Sequence, residues 1–346
     1  MYGANYGYRS SQNQTMIDHL KEKATNLLAK FPVQSGDLVL DIGSNDGTLL
    51  SFFPDTITRV GMDPTAAKFR EAYNTGIEVV ANFFSAPLFR ERFPNRKAKI
   101  VTSIAMFYDL EDPVSFVKEI VSILDDEGIW HFEQSYMPAM LAVNAYDTIC
   151  HEHLEYYALN QIKWIADRCG LKILNVEEND VNGGSFAVTV AKIGSPYREN
   201  RAAVAAMLDA EIKSGLDTLE PYAEFKARTF EHRSKILELL TDLRSGGARV
   251  LGYGASTKGN VILQFCGIKS DLLSAIAEVN PDKIGSFTPG TLIPIVSEAD
   301  AHALQPDYLL VLPWHFRENI LRREADFLAR GGRMIFPLPQ IEIVGK

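Results

Sequence analysis

Cysteine is scarce in this chain, and the few cysteines present are placed where they build nothing together. Cys150, Cys169 and Cys266 are the three among 346 residues. They are odd in number, widely spaced and form no C-x-x-C pair, so neither a disulfide framework nor a thiolate zinc site is indicated, and free thiols in a reducing compartment are expected. Long apolar runs are also missing: nothing approaches the ~18 residues of a membrane helix. The opening MYGANYGYRSSQNQTM has no basic stretch followed by an apolar one, so it does not read as a secretory signal. Basic charge is in deficit, with 35 Lys and Arg against 44 Asp and Glu and a formal charge of -9. No Lys/Arg stripe is visible, which argues against a nucleic-acid partner. The expectation is a cytoplasmic protein that works on a small molecule, with no nucleic acid and no membrane, and with a monomer as the simpler oligomeric state.

What the chain does have is a repeated alternation. From Asp37 to about Lys192, runs rich in β-branched residues (DLVLDIG, TRVGMD, IEVVANF, AKIVTSIAMF, GIWHFEQS, SFAVTVAK) alternate with helical patterns, the rhythm of an α/β domain with a mostly parallel, buried sheet. Residues 200–245 show helical spacing at Phe225, Phe230, Ile236, Leu237 and Leu240 and no strand, with Pro221 as a break. From Gly246 the alternation returns in ARVLGYGAS, LSAIAEVN, PDYLLVLPW and GGRMIFPLP. The boundaries read as 1–195 for the first domain, 196–245 for a helical connector and 246–346 for a second, smaller Rossmann-like domain.

Two stretches carry chemistry. LVLDIGSNDGTLL is a strand ending near Asp41 that passes through Gly43, Ser44, Asn45, Asp46 and Gly47 into an apolar segment. Small residues there let backbone approach a ligand at the carboxyl edge of the sheet. A second strand ends in Asp63, placed to accept hydrogen bonds from ribose hydroxyls. The loop lacks both the G-x-G-x-x-G of a dinucleotide site and the lysine of a triphosphate site. Being acidic, it suits a cationic or neutral ligand. The other stretch, YDTICHEHLEYY at 146–157, gathers two histidines, two glutamates, an aspartate, a cysteine and three tyrosines. Histidine titrates near neutrality, at roughly 6.5, and suits a base that must take and hold a proton.

D-I-G-S-N-D-G followed by a strand-terminal acid resembles motifs I and II of class I S-adenosylmethionine (SAM) methyltransferases. That resemblance implies that Gly43–Gly47 wraps the methionine part, that Asp63, followed by Pro64, holds the ribose, that Asn82 and Phe83 flank the adenine, and that Ser103 and Ile104 lie beside the sulfonium. Over nearly the whole chain, the segments YGYRSSQNQTMIDH, YDTICHEHLEYY, VNGGSFAVTV, GYGASTKGN, PDYLLVLPWHF and GGRMIFPLP resemble the nucleotide-sugar C-methyltransferases, which add a methyl branch at C-3 of 4-keto deoxysugars. By that resemblance His153 is the base that removes the proton at C-3, with Glu152 beside it, and His151, Tyr157 and Tyr8 are candidates to stabilise the developing oxyanion. Tyr8 belongs to a segment that in the family lies over the active site.

Some features depart from the pattern or admit a plainer account. The family commonly has Tyr where this chain has Cys150, and many members have His where it has Asp109; both positions lie near the sugar, where Tyr108 or Tyr136 can compensate. The small zinc module of C-x-x-C pairs that commonly begins the family has no counterpart here. An acceptor other than a deoxysugar, methylated on oxygen or carbon, and a silent nucleotide-sugar-binding relative stay open. His151 and His153 share a face if the segment is a strand and could then ligate a metal, but no third ligand accompanies them and none is assigned. GYGASTKGN can hold a phosphate with Lys258 as counter-charge, or can simply pack strand on helix. Asn182 in the VNGG turn and His315 in PWHF can reach the substrate or serve the fold alone. His19 and His131 read as structural.

Overall fold

A computed structural model describes residues 7–345, with the side chain of Asn182 outside the described set. In chain order the first elements are α1 (Gln14–Lys30), β1 (Leu38–Ile42), β2 (Thr58–Met62), β3 (Ile77–Val80), α2 (Ala86–Arg92), β4 (Ala98–Ile104), α3 (Pro113–Ile123) and β5 (Leu124–Ser135). Next come α4 (Met137–Ala142), α5 (Leu159–Arg168), β6 (Leu171–Asn179), β7 (Ser185–Lys192), α6 (Arg201–Lys213) and α7 (Glu220–Ser245). The last third holds β8 (Val250–Tyr253), α8 (Thr257–Cys266), β9 (Ile276–Glu278), β10 (Ile295–Ser297), α9 (Glu298–Ala303), β11 (Tyr308–Val311), α10 (Arg317–Arg323), α11 (Ala325–Ala329), β12 (Arg333–Phe336) and β13 (Glu342–Val344).

The first sheet runs in the order β3-β2-β1-β4-β5-β7-β6, with β7 antiparallel to both its neighbours. Its inner strands are buried on both faces, and β1 (LVLDI) has no exposed residue, which is why these strands read as unbroken apolar runs rather than alternating ones. The order reverses at β1, which pairs β2 on one side and β4 on the other. That reversal opens the crevice where doubly wound sheets take ligands. The second sheet, β10-β9-β8-β11-β12-β13, repeats the plan with a reversal at β8 and one antiparallel edge strand, β13. The architecture is α/β: a class I methyltransferase Rossmann-like sheet and a second, smaller Rossmann-like sheet.

Local chemistry places the helix ends. Asn13 accepts from the Thr15 and Met16 amides to start α1, Asp112 accepts from the Ser115 amide with Pro113 at the first turn of α3, and Ser256 accepts from the Gly259 amide to start α8. Pro221 stands in the first turn of α7, so the break in the 200–245 stretch falls before it, between α6 and α7. Phe225, Ile236 and Leu240 are core, whereas Phe230 is exposed, its ring edge-on to Phe265. Absent from the strands read in sequence are β10, β13 and β6, the last a hairpin partner of β7 whose outer half carries Glu177 and Glu178.

The chain divides into two compact units. The first runs to Tyr136 and adds Leu154–Asp180 and Gly184–Lys213; the second is Met137–His153, Val181–Gly183 and the chain from Ser214 onward. Helix α6 therefore groups with the first unit and α7 with the second. Segment 137–153 leaves the first sheet after β5 and is held by the second unit: Arg228 of α7 donates to the Leu141 carbonyl, Thr229 to Asn144, and Trp314 to Asp147.

Inside the first unit, Glu133 of β5 is a buried carboxylate held by three partners, His19 at 2.7 Å and Lys23 at 2.5 Å from α1 and Asn179 at 2.7 Å from β6. Burial pushes its pKa up, but the His19 hydrogen bond and the Lys23 charge outweigh burial and hold it down at about 2. Neighbouring His131, with Nδ1 on the Thr189 hydroxyl, is kept neutral by burial and by Lys23, at about 3. Because the Glu133 pKa is depressed, its contribution is present above 4.5 and is lost as pH falls toward 2. Glu133→Gln should cost about 3–5 kcal/mol by leaving Lys23 buried and unpaired. Urea titrations of both proteins at pH 7 and pH 3 check this, the gap being expected to narrow in acid.

Candidate active site

The first unit carries the glycine turn after β1. Gly43, Asn45 and Gly47 all adopt left-handed backbone, with φ of 74°, 52° and 78°. A side chain at Gly47 would meet the Tyr73 ring at 2.5 Å, and one at Gly43 would meet Met106 at 3.2 Å. Glycine is required there by conformation and by space. The turn is pinned from β2: Asp63 accepts from the Asn45 amide at 2.8 Å with one oxygen and from the Thr65 amide and hydroxyl, each at 2.6 Å, with the other. Tyr73, which the sequence did not single out, closes it from a second side, its hydroxyl 2.7 Å from Ser44 Oγ and donating to the Asn45 carbonyl at 2.8 Å.

The N-terminal segment is bound to the same turn. The Ser10 amide donates to Asn45 and the Ser11 amide to Asp46, each at 3.0 Å, while Asn45 Nδ2 donates to the Tyr8 carbonyl and Arg9 lies 3.7 Å from Asp46. Three buried carboxylates, Asp41, Asp46 and Asp63, thus surround one glycine turn. Asp41 is raised to about 7, first by burial, with the Thr102 hydroxyl at 2.7 Å opposing and Asp63 adding to the rise. Beyond β3, Asn82 is exposed and Phe83 presents a ring that is 61 % exposed. Pro64 and Ile104 are half-buried. The Ser103 hydroxyl is not free to face a ligand, because it accepts from the Trp130 indole at 2.9 Å in the core. An acidic, glycine-lined crevice with an exposed aromatic ring fits a cationic adenosyl ligand, with Asp63 keeping lone pairs for ribose hydroxyls.

The second unit holds the dense stretch from Tyr146 to His153. Tyr146–Thr148 forms a buried 3-10 turn, and Cys150, Glu152 and His153 are half-buried while His151 is exposed. Lys258, at the start of α8, acts electrostatically on Asp147, Cys150, His153 and His315, so the GYGASTKGN turn and the H-E-H segment meet. Asp147 accepts from the Trp314 indole at 2.8 Å, and burial raises its pKa while Lys258 and Trp314 oppose the rise. Burial lowers Lys258, with Asp147 and Cys150 counteracting. Burial and then Lys258 depress His153 to about 4 and His315 to about 3. Both imidazoles are therefore neutral near pH 7. The glycines of the turn serve packing: side chains at Gly252, Gly254 and Gly259 would strike Ile276, Pro313 and Leu312.

Other sequence-predicted residues fall in the first unit with different duties. Tyr136 is not available to a substrate: its hydroxyl donates at 2.8 Å to Glu211, whose carboxylate also takes the Leu159 and Asn160 amides at the start of α5. Tyr108 offers its carbonyl to the Leu154 and Glu155 amides. It stands beside Asp109 in one short turn after β4. Tyr157 is buried against Phe107, ring centroids 5.4 Å apart. The Asn182 side chain lies outside the described residues, although Gly183 beside it packs on Trp314. Asp147 and Trp314 carry no assignment from sequence. Asp147 stands within the dense 146–157 stretch itself, so its signal was present. No group of three or more His, Cys, Asp or Glu side chains placed to hold a metal occurs among the described residues.

Removing the ammonium with Lys258→Met should raise the His153 pKa above about 4, short of 6.5 because burial is the larger cause. An NMR titration of the His153 imidazole checks this, and an unmoved midpoint would show that Lys258 does not act on it.

Comparison with known proteins accords with this geometry. Residues 14–176 match the methyltransferase-domain family and residues 180–339 the C-methyltransferase C-terminal domain family. The chain is 32% identical over 341 residues to the C-methyltransferase NovU of Streptomyces niveus, covering 98% of this chain and 81% of that one. Among solved structures, a chain of the complex between the Haloferax volcanii Trm112 methyltransferase activator and the putative methyltransferase is similar at 18% identity and a TM-score of 0.42, over 52% of this chain and 93% of that chain. A putative methyltransferase from Bacillus halodurans is similar at 12% identity and 0.39, over 49% and 99%. Likenesses this weak bear no weight here. The extended identity to one C-methyltransferase and the two matched domains together do: this chain belongs to the C-methyltransferase family and is a SAM-dependent enzyme that methylates carbon.

Proposed function

We propose that the acceptor is a 4-keto nucleotide-activated deoxysugar and that the methylated carbon is C-3, beside the ketone. The observation that carries this reading is the neutral His153 in the segment that also holds Glu152 and His151, with the half-buried Lys258 acting on it. Methylating an unactivated carbon demands its deprotonation, and the α-proton of a ketone is the one that a histidine can take. When bound, SAM supplies an electrophilic methyl group. The chain's own residues do the rest. His153 takes the C-3 proton as free base, Glu152 orients it, and hydrogen-bond donors stabilise the charge that develops on O-4. Lys258 and His315 are proposed to meet the diphosphate and nucleotide, which a half-buried ammonium at a helix start suits. Tyr8, Tyr108, Asp109, Cys150 and Asn182 are proposed to contact the sugar, and Gly43–Gly47, Asp63, Asn82 and Phe83 the donor.

With methyl-labelled SAM and a panel of 4-keto nucleotide sugars, label should appear on the carbon next to the ketone, located by NMR of the product; label on oxygen would overturn the reading. His153→Ala should keep its SAM affinity and lose about 10²–10⁴ in turnover. Gly47→Ala is the converse case. Its new methyl strikes Tyr73 from a left-handed backbone position, so SAM affinity by calorimetry should fall tenfold or more, equivalent to about 1.4 kcal/mol or above.

A further inference from the structure

Several buried side chains of the first unit carry a polar atom with no hydrogen-bond partner among the described residues; Arg59 Nε, His131 Nε2 and the Ser195 hydroxyl stand apart, while two others, Gln134 and Tyr157, border one aromatic cluster. Gln134 is 1% exposed, and neither its Nε2 nor its Oε1 is bonded; Tyr157 is 5% exposed, and its hydroxyl is unbonded. Buried polar groups nearly always find partners, because leaving one unmet forfeits the hydration it lost. Tyr136, Trp130 and Glu133 nearby obey the rule. The Tyr136 hydroxyl is taken by Glu211, the Trp130 indole by Ser103, and the Glu133 carboxylate by three donors.

Gln134 and Tyr157 border the same aromatic cluster. Along β5, alternate residues share a face, and Trp130, Phe132 and Gln134 point opposite to His131 and Glu133. On that face Trp130 and Phe132 stack at 4.2 Å, and the Phe107 ring lies 5.4 Å from Phe132 and 5.4 Å from Tyr157. Gln134 is the next residue on the aromatic face, one short of the strand's carboxyl end at Ser135, and Tyr157 stands just before α5. Both therefore sit toward the carboxyl edge of the sheet, the edge that carries the glycine turn after β1 and at which open α/β sheets receive ligands.

We propose that Gln134 and Tyr157 are the paired donors that hold the acceptor's carbonyl oxygen and stabilise the oxyanion formed there. This rests on the function proposed above. As the C–H bond at the α-carbon breaks, its proton passes to the His153 imidazole and the electron pair spreads onto the carbonyl oxygen. Gln134 Nε2 and the Tyr157 hydroxyl, fixed beforehand and shielded from water, then meet the charge at its largest. The remaining Gln134 Oε1 is free to accept from a hydroxyl beside the carbonyl.

Gln134→Leu and Tyr157→Phe test this, with exchange of the acceptor's α-proton into D2O followed by NMR, kcat and KM for methylation, SAM affinity, and Tm. Each variant should bind SAM as the parent does and melt no lower than it, since a group with no partner has been removed. Each should lose about 10²–10³ in α-proton exchange and in kcat, with KM changed less. Exchange close to the parental rate, or a clear fall in Tm, would overturn the assignment: the first shows that the groups do not meet the oxyanion, the second that the fold uses them. Failure of the parent itself to exchange an α-proton of any 4-keto nucleotide sugar would instead remove the proposed acceptor, and this assignment with it, and is recognisable because it appears before any substitution.

Discussion

A carboxylate at the end of the second strand fixes the glycine turn after the first, and each of the two sheets depends on it. In the first sheet Asp63, after β2, takes the Asn45 amide at 2.8 Å. In the second, Glu278, at the end of β9, takes the Ala255 amide at 2.9 Å and the amides of Val279 and Asn280. A turn that holds left-handed residues has few internal hydrogen bonds and spends conformational freedom to form. An anion aimed at its amides offsets that cost with charge-assisted bonds. The same device serves two ends. In the first sheet it leaves an acidic crevice; in the second it orients the strand and helix that present Lys258.

The two crevices have opposite electrostatic character. Asp41, Asp46 and Asp63 suit a ligand with positive charge, while Lys258 opposes protonation of the histidines near it. A base placed among the three aspartates would be held protonated near neutrality and could accept nothing. Next to a half-buried ammonium it stays free. Asp147 limits how far this goes, because it opposes the lowering that burial imposes on Lys258. The Trp314 indole in turn holds Asp147, so removing the indole would act on His153 through two intermediates.

Much of this was legible in the sequence, for identifiable reasons. The parallel strands announced themselves because burial on both faces leaves no polar alternation to blur them, and Gly43, Gly47 and Asp63 because few residues serve a left-handed turn and a strand-terminal acceptor. Strand β6 was missed because its outer half, with Glu177 and Glu178, carries the polarity of an edge. That residues 137–153 group with the second unit was not legible, because they are held by hydrogen bonds from Arg228, Thr229 and Trp314, all distant in sequence. Tyr136 misled because a tyrosine at the end of a strand reads the same whether its hydroxyl faces a ligand or a buried glutamate. Tyr73 and Gln134 were invisible for the converse reason: neither has a local pattern, and only their surroundings in space set them apart.

A buried polar group without a partner is a cost to the fold, and Gln134 and Tyr157 bear that cost near the ligand-binding edge of the sheet. Glu133 and Tyr136 are as buried as Gln134, and each is satisfied, so their polarity is explained by the structure that contains them. Gln134 and Tyr157 are not so explained, and a leucine and a phenylalanine of similar size would suit the ligand-free core better. Stability alone would favour those replacements. That the polar side chains stand there, on an aromatic face near the ligand-binding edge of the sheet, is the pattern expected when a site is prepared in advance for a charge that exists only during the reaction, and donors already occupied within the protein could not meet that charge without first breaking other bonds.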